Sequence, residues 1–127
     1  YLEPAKAISV VKYLNKLIVL GDNGKIIDLE NLPKNVPKVT GTDDIKKAFQ
    51  TLKMIDKSNF DIENVKNIEF FPSDRVDIEF KNEKKIRFPI NYTIDSFNFA
   101  LRLLDDDKYS KSKVLDLRIP NRVITYD

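Results

Sequence analysis

The sequence predicts an α+β domain: an antiparallel or mixed sheet with two helices packed on one face. Three observations carry this. Apolar and polar residues alternate in paired runs at 76–80 with 86–90 and at 115–119 with 122–126, the period of half-buried strands. Two other stretches, 43–57 and 93–104, place apolar residues at helical spacing. Their order is strands, helix, strand hairpin, helix, strand hairpin, which segregates the helices from runs of antiparallel strands.

Each element has a local reason. Residues 5–11 form an apolar run rich in Ile and Val, and 17–20 and 25–29 are two short strands joined at Asn23-Gly24, where both residues tolerate positive φ. Residues 30–41 contain Pro33, Pro37 and Gly41 and read as a loop. Thr42 offers a helix cap, and Asp43 and Asp44 suit the positive end of the dipole. Ile45, Ala48, Phe49, Leu52 and Ile55 then make one buried stripe. A strand at 65–71 turns at Pro72-Ser73-Asp74 into the 76–80 and 86–90 hairpin. Thr93 caps the second helix, whose stripe is Ile94, Phe97, Ala100, Leu101 and Leu104. That helix leaves at Asp105-Asp106-Asp107, three carboxylates that oppose its C-terminal dipole.

Composition narrows the function classes. The chain has 127 residues, enough for one domain with a core, and no apolar run long enough to span a bilayer. Its 22 basic and 20 acidic residues interleave and nearly cancel, so no basic stripe points to nucleic acid. Cysteine and histidine are both absent, which removes thiolate nucleophiles, disulfides, the commonest general base and the commonest metal ligand. With three glycines and no phosphate-cradling loop, neither a cofactor nor a catalytic residue is indicated. Capping explains the Asp43, Asp44 pair, and the Asn91-Tyr92-Thr93 sequon adds no chemistry. The expectation is a module that acts by binding. An extracytoplasmic ligand-binding or carboxylate-dependent hydrolase domain is the alternative.

The closing segment is the most informative about binding. Leu115, Leu117 and Ile119 alternate with Asp116 and Arg118, Pro120-Asn121 supply a turn, and a second alternating run ends the chain. A final strand of this kind either completes the core or leaves one row of backbone groups for a partner strand.

Several stretches, taken in order, resemble the bacterial FtsQ/DivIB cell-division proteins. They are Tyr1-Leu2-Glu3-Pro4-Ala5-Lys6-Ala7, Asp22-Asn23-Gly24-Lys25-Ile26-Ile27, Leu32-Pro33 with Gly41, Arg75-Val76-Asp77-Ile78-Glu79-Phe80, and Leu115-Asp116-Leu117-Arg118 with Asn121-Arg122-Val123. Pro89 stands where the family often has glycine. The resemblance implies that residues 1–5 are the junction from a POTRA domain and 6–127 a β domain. It also implies a location on the outer face of the cytoplasmic membrane at the division septum, in a protein with a single membrane anchor. The implied partners are the small coiled-coil proteins FtsB/DivIC and FtsL. The partner strand would be taken at Arg122, Val123, Ile124, Thr125 and Tyr126, beside Arg118, Ile119 and Asn121. On this reading Ile124→Pro weakens partner binding and spares the fold.

Overall fold

The computed structural model describes residues 5–28, 30–73 and 75–126. The junction expected at 1–5 therefore lies outside the described residues except for Ala5. Among the described residues nine strands form one sheet, in the order β3-β2-β1-β4-β5-β6-β7-β8-β9. They are β1 (Ala7–Tyr13), β2 (Lys16–Gly21), β3 (Ile26–Ile27), β4 (Lys38–Thr40), β5 (Val65–Phe71), β6 (Arg75–Phe80), β7 (Lys85–Pro89), β8 (Val114–Asp116) and β9 (Ile124–Tyr126). The α-helices among the described residues are α1 (Ile45–Lys57) and α2 (Ile94–Leu104).

The sheet is mixed, and its parallel pairs explain where the helices sit. β4 runs parallel to β5 across α1, and β7 runs parallel to β8 across α2. Parallel neighbours require a crossover, and crossovers are almost always right-handed. Both crossovers step the same way along the sheet between strands of the same polarity, so the rule puts both helices on one face. The core follows: Ala48, Leu52 and Ile55 of α1 and Phe97, Ala100 and Leu103 of α2 share one buried cluster with Ile68, Ile78, Ile86, Phe88 and Leu115. Phe97 sits at its aromatic centre, with Phe88, Tyr92 and Phe60 at centroid distances of 5.0, 5.2 and 6.1 Å.

The same connectivity occurs twice. β4-α1-β5-β6 and β7-α2-β8-β9 are each strand, helix, parallel strand, antiparallel strand, laid side by side. In the first unit the far edge of β6 is covered by antiparallel β7. β9 holds the corresponding place in the second unit, at the edge of the sheet.

Several expected boundaries shift. The loop expected at 30–41 contains β4, which bridges the N-terminal hairpin to the rest of the sheet by parallel pairing on both sides. Three residues between Pro37 and Gly41 carry no legible period, yet Val39 is completely buried. β1 extends to Tyr13 and closes on Leu14-Asn15, and β3 is shortened to two residues, with Leu29 outside the described ones. Asp44, not Thr42, caps α1: its carboxylate accepts from the Lys47 N–H at 3.1 Å, while Thr42 Oγ1 accepts from the Asp44 N–H. Asp43 is drawn off to the N–H of Leu14. α2 starts as expected, on a capping box in which Thr93 Oγ1 accepts from the Ser96 N–H and Ser96 Oγ accepts from the Thr93 N–H. Thr93→Ala should cost about 1 kcal/mol, read as a lower urea midpoint at unchanged slope.

Candidate functional site

Among the described residues β9 is paired on one side only, with β8. β8 lies between β7 and β9, and its backbone groups alternate between them. Lys85 N–H donates to Lys113 O at 2.8 Å and Leu117 N–H to Arg87 O at 2.9 Å, on either side of β8, so by alternation Leu115 between them turns its backbone groups to β7. Val114 and Asp116 therefore face β9, opposite Tyr126 and Ile124. Tyr126 O accepts from the Lys113 N–H at 2.9 Å, which confirms that Tyr126 turns its backbone inward. By the alternation of a strand, Thr125 turns its N–H and C=O outward to the unpaired edge.

This corrects two expectations. The edge strand is Ile124–Tyr126, so Arg122 and Val123 precede it. The Ile124 N–H belongs to the β8 ladder, so a proline there attacks the fold rather than the free edge. Thr125 carries the free donor.

The connection 117–123 is shaped by one turn. Arg122 N–H donates to Ile119 O at 3.2 Å, with Pro120 and Asn121 between them. Asn121 has φ 62°, the left-handed value that the third position of a type II turn requires. Arg118, Ile119, Asn121 and Arg122 are exposed along this turn, and Val123 is half-buried against the core. Beside it a groove of about 390 Å³ runs between α2 and the connection, lined by Phe88, Phe99, Leu117, Ile119 and Val123 among others.

The helix-free face of the sheet carries a row of charge that runs up to β9. Register aligns Glu69, Asp77, Arg87, Asp116 and Ile124 across five strands. Asp116 is the buried anchor, with only 2% of its surface exposed. Its carboxylate accepts from Arg118 Nε at 2.9 Å, Arg118 Nη2 at 2.7 Å and the Arg118 N–H at 3.1 Å, and Arg87 Nη1 stands 3.7 Å away. The Arg87 guanidinium in turn lies over the Tyr126 ring, 5.1 Å from its centroid. Asp116 thus ties the connection, β7 and the last strand together.

Burial pushes the Asp116 pKa upward, but the Arg118 hydrogen bonds outweigh it and hold the carboxyl below its usual value. Asp77 goes the other way: burial dominates, and Arg75, with its Nε 2.9 Å from Oδ1, offsets only part of it. The signs follow. Stability from Asp116 is complete above the ordinary carboxylate pKa and is lost as pH falls through the lowered folded value. Protonation of Asp77 favours the folded state over the window between its ordinary and raised values. Asp116→Asn should therefore cost about 1–2 kcal/mol near neutral pH. Urea midpoints taken against pH should then show a shallower loss on the acid side than in the parent.

Glu69, Asp77 and Glu79 also line a shallow depression of about 240 Å³ on this face, the arrangement closest to the carboxylate-hydrolase alternative. Lys38 and Lys85 line it with them, and Glu79 accepts from Asn67 Nδ2 at 2.6 Å. Among the described residues no cluster of three or more metal-ligating side chains occurs, and no helix is long and apolar enough to cross a membrane.

Fold and edge together define a class: a mixed-sheet α+β domain in which, among the described residues, β9 is paired on one side. The fold is similar to that of the major extracytoplasmic domain of the trans isomer of the bacterial cell division protein DivIB from Geobacillus stearothermophilus. The TM-score is 0.56 at 18% sequence identity, over 79% of this chain and 87% of that one. The chain therefore has a DivIB-like fold. No family model matches it, and no curated protein does.

Proposed function

We infer that this chain is a non-enzymatic bacterial cell-division domain that accepts a strand from a partner on the open edge of β9. The observation that carries the reading is that edge, where Thr125 presents an unpaired donor and acceptor on a strand already fixed from its inner side. Main-chain hydrogen bonds would supply adhesion, and side chains at alternate positions would supply selectivity. The repeated unit gives the incoming strand a direction. Because β7 covers β6 antiparallel, the partner strand takes the equivalent place antiparallel to β9. Its side chain opposite Thr125 points to the helix side, towards the groove lined by Phe99 and Ile119.

The partners in this reading are the ectodomains of FtsB/DivIC-like and FtsL-like coiled-coil proteins. The contact residues are Arg118, Ile119, Asn121, Arg122, Val123, Ile124, Thr125 and Tyr126. The likeness to the extracytoplasmic DivIB domain supports a place outside the cytoplasmic membrane; in this reading that place is the septum, within a longer protein carrying a membrane anchor and a POTRA domain. Calorimetric titration of this chain with each candidate ectodomain tests the reading. Saturable one-to-one binding is expected with at least one, and absence of heat at every temperature tried, with no complex on gel filtration, would exclude these partners.

A further inference from the structure

At the other end of the sheet the hairpin joining β1 and β2 has a tip that the free protein does not explain. Its two loop residues, Leu14 and Asn15, have φ 49° and 64°. That is the turn for which asparagine and glycine are suited, and a leucine there is strained. Leu14 is nevertheless 60% exposed, so burial does not offset the strain. Leu17 beside it is 45% exposed. Tyr13 pairs with Lys16 on one face of the hairpin and Lys12 with Leu17 on the other, so a lysine flanks the apolar tip on each side. Asp43 is the neighbouring acid, and its carboxylate is engaged at 3.0 Å by the Leu14 N–H, which fixes the tip's backbone.

We propose that this tip is a membrane-surface contact, with Leu14 and Leu17 entering the interfacial layer of an anionic bilayer and Lys12 and Lys16 at its headgroups. The shape selects a bilayer over a folded partner. The tip is the turn of a hairpin, and neither the depression on the helix-free face nor the groove beside α2 is lined by any residue from 12 to 17. A soft interface accepts a protruding leucine without a complementary pocket, and the flanking lysines are complementary to acidic lipid. β1 is third and β9 ninth in the sheet, so about 29 Å separates the two strands and one domain could hold lipid and partner strand together. The proposal is independent of strand addition at β9.

The test is co-sedimentation of the chain with phosphatidylcholine vesicles, with and without phosphatidylglycerol. Binding is expected only with phosphatidylglycerol, and raised salt should weaken it. Leu14→Asn should weaken it about fivefold while melting at the same or a higher temperature, because asparagine accepts the positive φ. Lys16→Glu should also weaken it. In a Leu14→Trp variant the emission should shift to the blue on adding anionic vesicles, whereas a tryptophan at exposed Ile26 should not respond. The proposal is overturned if the parent stays in the supernatant, if neutral vesicles bind equally, or if Leu14→Asn binds as tightly as the parent. It is also overturned if Leu14→Asn instead loses affinity for a coiled-coil ectodomain, which would make the tip a protein contact.

Discussion

Gly41→Ala is expected to destabilise this domain by at least about 4 kcal/mol, a large share of the stability an ordinary domain has. Two costs combine. Gly41 has φ 87°, a conformation that side chains other than glycine's rarely adopt. A Cβ there would also overlap the Phe70 carbonyl oxygen and stand 2.9 Å from its carbon, both backbone atoms of β5. Relief would require β4 and β5 to separate. β4 is the three-residue bridge between the β1-β2-β3 hairpins and the larger half of the sheet, so the damage is not local. Urea denaturation should show the loss. A midpoint within the error of the parent would mean that the approach of Gly41 to Phe70 is wrong.

The second large effect is on binding rather than stability. Thr125→Pro should lower affinity for the partner strand by at least about a hundredfold while costing the fold less than about 1 kcal/mol. The asymmetry comes from the direction of one N–H. Thr125 is exposed and its donor does not serve β8, so the ring deletes nothing from the native ladder. The residue before it, Ile124, is already extended, as a residue preceding proline prefers. The added strand, by contrast, meets a missing donor and a ring in the plane of pairing. Ile124→Pro should behave oppositely, since its N–H belongs to the Asp116 pair, and should loosen the last strand even without partner. Circular dichroism melts and titrations of the two variants should therefore separate fold from binding.

Much of the fold was legible because its period is repeated over enough residues to be read. α1, α2 and the strands at 65–71, 75–80 and 85–89 show helical or alternating patterns with caps and turns at their ends. β4 was not legible because a three-residue strand paired on both sides and flanked by proline and glycine has no alternation to show. The Leu14-Asn15 turn was hidden because leucine is a poor residue for it. For the candidate site, the sequence indicated the final strand, and Pro120-Asn121 correctly marked the turn, with Asn121 left-handed. Which amide of that strand is free could not be read from side chains. It depends on how β8 divides its hydrogen bonds between two neighbours, a property of the assembled sheet. The cross-strand link from Asp116 through Arg87 to Tyr126 was hidden for the same reason, since it joins three strands that only topology brings together.

Hydrogen exchange at the Thr125 amide tests the central claim most directly. In the free chain that amide should exchange rapidly, while those of Ile124 and Tyr126, committed to β8, exchange more slowly. On adding the coiled-coil ectodomain, Thr125 should become protected by a large factor and the pattern of the other two should change little. Protection of Thr125 in the free chain, or a Thr125 amide that remains fast in a demonstrated complex, would contradict strand addition at this edge.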